Sequence, residues 1–308
     1  VEIRQMQYAI QIAAERSFSR AAEKLHIAQP SLSQQLSKLE KELGVLLFKR
    51  STNTVELTHA GTVFVNRARQ IVDMAEQLRR EMEDLAELRK GRVVVGSVPV
   101  TGAHLLPSVL PAFRAAYPDI EVVLIEETSK RLEELTISGN TDLCLLSLPI
   151  NEPALAYFPV LEEEICLAVP PEHPLSSASA GKKTVPLKRL RNEPFILLKK
   201  GQGFRAIAHQ LCAQAGFEPR IVFESGNIDT VQALVAAGMG ISFVPHMVIR
   251  KDWPDRAPVY LPLENRPTRT LVIAYRKGRY LSNAAEAFIA TFKQTMRAFH
   301  GRSESTSF

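Results

Sequence analysis

The sequence predicts three parts in order: a small all-α unit with a short basic hairpin, a long linker helix, and a two-lobed α/β unit. Three observations predict it. Apolar residues recur at helical spacing through residues 1–57, at alternating four- and three-residue steps through residues 58–90, and in strand-like runs alternating with helical segments through residues 91–300. At 308 residues, with 45% hydrophobic and 23% charged side chains, the chain has material for two or three domains of ordinary globular composition.

In the first part Met6, Ile10 and Ala13 mark a helix, with Phe18 as an aromatic body at its exit. Ser19 is expected to cap the next helix, in which the small Ala21 and Ala22 permit close approach of another. His26-Ile27-Ala28-Gln29 breaks the period, and Pro30 restarts it, because its fixed φ suits a first helical turn that needs no N–H from it. Leu32, Leu36, Leu39 and Leu43 then line one buried face and turn Ser31, Ser33, Gln34, Gln35 and Lys38 outward. Short hydroxyls and amides at a helix N-terminus suit phosphates and base edges. The formal charge of +5 is compatible with phosphate binding, and residues 1–69 carry 10 basic against 6 acidic side chains.

Gln29-Pro30-Ser31-Leu32-Ser33-Gln34-Gln35, followed by Leu39-Glu40 and Leu43-Gly44-Val45-Leu46-Leu47-Phe48-Lys49-Arg50, resembles the recognition helix and wing entry of the LysR-type transcriptional regulators. Thr58-His59-Ala60-Gly61 resembles the T-x-A-G that follows the wing in that family. The resemblance implies a winged helix-turn-helix domain that binds double-stranded promoter or operator DNA, with RNA polymerase as a further partner. The residues it assigns to DNA are Ser19, Gln29, Pro30, Ser31, Ser33, Gln34, Lys38, Lys49, Arg50 and Thr54.

Phe64, Ala68, Ile71, Ala75, Leu78, Met82 and Leu85 follow at the spacing of a coiled-coil seam. Such a seam pairs either with the same helix of a second subunit or with the chain's own effector domain. The family resemblance favours the former, assigning Phe64, Ile71, Leu78, Met82 and Leu85 to dimerisation within a dimer or tetramer.

Beyond Gly91 the expected strands are Arg92–Gly96, Ile120–Glu126 and Asp142–Leu148, interleaved with helices Leu105–Ala116 and Ser129–Ser138. A second series runs from Ile165–Val169 through Phe195–Leu198, a helix over 204–215, Ile221–Glu224, Ile228–Ala237 and Ile241–Pro245. Thr270–Tyr275 and a helix over 283–299 return to the first lobe. Alternation of this kind predicts a parallel sheet covered on both faces. With crossovers near 162–164 and 262–268, the arrangement resembles the periplasmic-binding-protein-like sensor of the family, lobe 1 being about 91–162 and 268–300 and lobe 2 about 163–267. Residues 301–308 read as a polar, disordered tail.

A ligand of such a fold sits between the lobes, where strand ends meet helix N-termini. Ser97, Val100 and Thr101 after the first strand, Thr128 after the second, and Gln202, Gly203 and Phe204 from lobe 2 are the expected contacts. With Lys199, Lys200 and Arg205 nearby, a small anionic metabolite is the expected effector. The alternatives are helix capping for Ser97, Thr101 and Thr128, and solvated surface for the three cations.

Other classes find less support. No Walker, zincin or nucleophile-elbow motif occurs, and none of the seven histidines has metal-ligand spacing, so neither an enzyme nor a cofactor beyond the effector is expected. Cys144, Cys166 and Cys212 form no C-x-x-C and sit in apolar patterns, which predicts reduced core thiols and a cytoplasmic location. No apolar run has membrane length, and no signal peptide is expected at the N-terminus. The competing readings are a solute-binding protein or an enzyme of two-lobed α/β fold.

Overall fold

The computed structural model describes residues 1–50, 55–85, 91–176, 184–249 and 257–303. Two compact units divide the chain, 1–88 and 89–308.

In the first unit α1 (Ile3–Glu15), α2 (Phe18–Lys24) and α3 (Gln29–Leu43) surround Ala9, Ile12, Ala21, Leu32, Leu36 and Leu39, all at most 1% exposed. Ser17, not Ser19, caps α2: it lies in extended backbone outside the helix and accepts from Arg20 N–H at 3.4 Å, whereas Ser19 is exposed inside the helix. The turn into α3 places His26 at φ 53° and closes with Ile27 N–H donating to the Ala22 carbonyl at 3.0 Å. Gly44, at φ 71°, ends α3 in the left-handed conformation that glycine adopts without a Cβ penalty.

The hairpin β1 (Phe48–Arg50) and β2 (Val55–Leu57) pairs antiparallel, Phe48 opposite Leu57. Its base is fixed from two sides. Buried Glu40 of α3 accepts from Leu47 N–H at 2.7 Å and Phe48 N–H at 3.2 Å through one carboxylate oxygen. Thr58 donates its hydroxyl to the Leu46 carbonyl at 2.7 Å and accepts from Gly61 N–H at 2.9 Å. A Cβ on Gly61 would lie 1.9 Å from the Leu47 carbonyl oxygen, which is why only glycine fits there.

The long helix α4 (His59–Leu85) divides the expected seam. Ala68 is buried, and Phe64 packs half-buried against the core of the first unit, so Phe64 serves that core rather than a free dimer face. Ile71, Leu78 and Met82 are exposed, together with Met74, which heptad counting passed over. The Leu85 side chain lies outside the described residues.

The second unit is built from β3 (Gly91–Ser97), α5 (Pro99–Ala116), β4 (Ile120–Glu126), α6 (Ser129–Ile137), β5 (Leu143–Ser147), β6 (Leu155–Val169), β7 (Pro194–Leu198), α7 (Gly203–Gln214), β8 (Arg220–Ser225), α8 (Ile228–Ala236), β9 (Ser242–Pro245), β10 (Val259–Pro262), β11 (Thr268–Arg276) and α9 (Asn283–Ser303). The expected all-parallel sheet is instead mixed. Parallel pairing holds for β3 with β4 and β5, and for β7 with β8, whereas β6 pairs antiparallel with β9, β10 and β11. The physical reason is β6, one 15-residue strand that pairs with β11 in lobe 1 through its first part and with β9 and β10 in lobe 2 through its second. It passes directly between lobes in one direction while β11 returns in the other.

Lobe 1 has a core on each face of its sheet: Phe113, Phe288 and Phe292 on one, Leu132, Cys144 and Leu146 on the other. The lobe 2 core centres on Phe195 and Phe243, with ring centroids 5.5 Å apart. Helix α5 begins at Pro99, six residues before the expected Leu105, with the proline in its first turn. Helix α9 runs to Ser303, three residues into the segment expected to be disordered, and 304–308 lie outside the described residues.

Candidate nucleic-acid interface and interlobe cleft

Helix α3 has two faces of opposite character. Leu32, Leu36 and Leu39 are buried, while Gln29, Pro30, Ser31, Gln34 and Lys38 are exposed and Ser33 is half-buried. No side chain caps its N-terminus, and no acidic residue lies in its first turn. Positive partial charge and unbonded N–H groups therefore open onto the polar face, an arrangement that receives phosphate. Ser19 is exposed on α2 and Lys49 on β1; Arg50 is placed in β1 by its backbone, and Thr54 lies outside the described residues. Arg20 and Lys24 are engaged with Glu15, so their charges are partly spent within the unit.

The second unit encloses a cavity of about 240 Å³ between its lobes. Val98, Pro99 and Val100 reach it from α5, Thr128 and Ser129 from α6, Gln202, Gly203 and Phe204 from α7, and Ile228 from α8. Four helix starts thus converge on one small volume. Thr128 caps α6, accepting from Arg131 N–H at 3.4 Å, and also lines the cavity, so capping and exposure to a guest coexist. Gly203 N–H donates to the Ser129 hydroxyl oxygen at 3.1 Å, which joins α7 of lobe 2 to α6 of lobe 1.

Ser97 and Thr101 do not line the cavity. Both are fully buried; Ser97 donates its hydroxyl to the Val98 carbonyl at 3.0 Å, and the Thr101 hydroxyl oxygen has no hydrogen-bond partner among the described residues. The early start of α5 accounts for this, because Thr101 then falls within the first turn and turns into lobe 1. Lys199 and Lys200 are exposed and lie off the lining. Arg205 is engaged with Glu224 and donates to the Leu198 carbonyl at 2.9 Å.

Sequence reading passed over the one cation among the described residues that does line the cavity, Arg269 of β11. It is 4% exposed, pairs with Glu163 at 2.5 Å, donates to Ser147 Oγ at 3.3 Å and lies 5.2 Å from the centre of the Phe204 ring. Burial holds the guanidinium below its ordinary pKa, and Glu163 opposes that shift. Glu163 is completed by Met247 N–H at 3.0 Å. Period-two alternation in Glu162-Glu163-Glu164 was the available signal, since a strand there buries the central carboxylate and exposes Glu162. Glu126 and Glu127 also line the cavity, Glu127 within the segment expected to reach the cleft after the second strand and Glu126 just before it.

All three cysteines are buried and free. Burial is the first cause that pushes each thiol up to about 12, so each is neutral at ordinary pH. Among the described residues no group of three His, Cys, Asp or Glu is arranged to hold a metal, and no helix is long and apolar enough to cross a membrane.

Comparison with known proteins agrees with this division. Residues 3–62 match the family described as bacterial regulatory helix-turn-helix protein, lysR family, and residues 86–297 match the LysR substrate binding domain. The uncharacterized HTH-type transcriptional regulator YcgK of Bacillus subtilis is 41% identical over 96% of this chain and 95% of its own length. The DNA-binding transcriptional dual regulator OxyR of Escherichia coli is 31% identical over 96% of each chain. Full-length OxyR from Pseudomonas aeruginosa superposes with a TM-score of 0.73 at 26% identity, covering 96% of this chain and 95% of that one. Full-length CbnR in complex with its target DNA gives 0.67 at 26% identity, covering 96% and 100%. Helix-turn-helix, linker helix and two-lobed sensor follow one another here as in those full-length regulators, and the chain belongs to the LysR family of DNA-binding transcriptional regulators.

Proposed function

We propose that α3 reads the major groove through Gln29, Ser33 and Gln34, with Ser31 and Lys38 at phosphates, Pro30 shaping the helix entry, and Ser19, Lys49, Arg50 and Thr54 flanking the groove. The observation that carries this reading is the open N-terminus of α3 beside a polar face whose opposite side is sealed by leucines. The exposed Ile71, Met74, Leu78 and Met82 of α4 form the surface on which a second copy packs, so that two half-sites are bound together. RNA polymerase contact at the promoter and a cytoplasmic location belong to the same reading.

The cleft takes a small metabolite with an anionic group, held by helix starts, and needs no metal or prosthetic group. Val98 and Gln202, the residues preceding α5 and α7, make no side-chain cap, and apart from Gly203 N–H on Ser129 this leaves first-turn backbone donors for such a group. Several relatives are named hydrogen peroxide-inducible genes activators. Here the buried, neutral thiols support occupancy of the cleft rather than thiol oxidation as the signal.

A mobility-shift titration at controlled salt tests the DNA assignment. Gln34→Ala is expected to lose roughly 1–3 kcal/mol against the cognate site while nonspecific binding holds. Equal losses on cognate and random duplexes would make Gln34 a positioning contact.

A further inference from the structure

We infer that the effector is a zwitterion, a small α-amino acid with an apolar side chain. The inference rests on the cleft being the effector site and goes further by assigning its two polar ends and its body. Glu126 and Glu127 line the cavity, and among the described residues neither side chain has a hydrogen bond or ion pair. Among the described residues the only cation on the lining, Arg269, is already paired with Glu163. A simple anion would therefore approach two carboxylates that no protein cation among the described residues pairs. An ammonium group answers them.

A second acceptor, independent of those carboxylates, belongs to a residue of the lining. Gln202 donates its amide Nε2 to the Gly226 carbonyl at 2.9 Å, which fixes the orientation of the amide, since a flip would set oxygen against oxygen. Its Oε1 is then buried with no donor among the described residues, in a residue that lines the cavity. A buried acceptor without a partner is costly, and an N–H donor from a ligand relieves it.

The donors of the cavity suit the other end. Ser129 accepts from Gly203 N–H, so its own hydroxyl proton is left for an acceptor, and the α5 start offers uncapped backbone N–H groups. A carboxylate fits these. The lining also includes Val98, Val100, Leu198, Phe204 and Ile228, apolar surface for an aliphatic or aromatic side chain. At about 240 Å³ the cavity is smaller than the roughly 300–1,000 Å³ of drug-sized sites, in keeping with a guest of amino-acid size.

The experiment is a calorimetric titration of the full-length protein with the apolar L-amino acids, each beside its 2-hydroxy acid and its decarboxylated amine. We expect one or more amino acids to bind, with both partners at least roughly tenfold weaker, the effect of losing one charge-assisted hydrogen bond. Glu127→Gln and Glu126→Gln, both at exposed positions, are expected to narrow the gap between amino acid and hydroxy acid by weakening only the former. Hydroxy acids binding as well as amino acids would overturn the inference while leaving the cleft as the effector site. No binding by any amino acid up to millimolar concentration would overturn it as well. Amino-acid binding that survives Glu126→Gln and Glu127→Gln with its gap intact and is also insensitive to Phe204→Ala would move the site out of the cleft, which is failure of the underlying reading instead.

Discussion

The two units use the same donor in opposite settings. In the DNA-binding unit the uncapped start of α3 opens onto an exposed face, with every buried leucine on the far side of the same helix. In the sensor the starts of α5 and α7 open inward onto a small cavity, and Arg269 on its lining is also the partner of the buried Glu163 in the crossover strands. The first setting suits a polymer that must slide along a surface; the second suits a small molecule that must be enclosed. It follows that stability and recognition are separable in the first unit and joined in the second.

Consequences of this difference range from loss of assembly to no effect. The largest is expected from Leu78→Asp with Met82→Asp, which places charge on the exposed face of α4 proposed to receive a second copy; sedimentation should show monomers, with operator affinity falling in parallel. A variant that stays dimeric would put the interface elsewhere. Next comes Arg269→Ala, which leaves Glu163 buried and uncompensated and should cost the sensor roughly 3–5 kcal/mol in chemical denaturation. A loss below about 1 kcal/mol would show that the lining and the fold of the sensor are independent after all, against the estimate for a broken buried pair. Thr128→Val keeps shape and removes the capping hydroxyl, so it should cost about 1 kcal/mol of stability and also raise the effector midpoint in a footprint titration. An unmoved midpoint would reduce Thr128 to a cap. The smallest effect is expected at the cysteines: thiols raised to about 12 are neutral at pH 7, and alkylation of the native protein should be negligible by mass spectrometry. Rapid labelling would reopen oxidation as a signal.

Local signals carried much of the fold. Pro30 and the Leu32–Leu43 spacing bounded α3 closely, because a proline start and a leucine face are both written within one helix. Capping was misread by two residues, since Ser17 and Ser19 have the same chemistry and only φ separates them. Sheet polarity was not legible: whether β6 runs with or against β11 depends on lobe packing, and its sequence pattern is compatible with either. Of the cleft, Val100, Thr128 and the 202–204 segment were readable from helix starts. Arg269 was not, because in Arg266-Pro267-Thr268-Arg269 one guanidinium is 69% exposed and the other is buried, and nothing in composition distinguishes them.

The continuity of β6 also bears on what length changes the chain tolerates. Its 15 residues, roughly 50 Å at about 3.3 Å each, are threaded through both lobes without a break. Beyond an irregularity at Val160, where the register with β11 shifts, side chains alternate faces through the crossover, so deleting one residue among Glu162, Glu163 and Glu164 would reverse inside and outside in whichever lobe gave way. Insertions and deletions should therefore accumulate in the loops between elements and be purged from this crossover, where two residues together are the smallest change that keeps both cores facing inward.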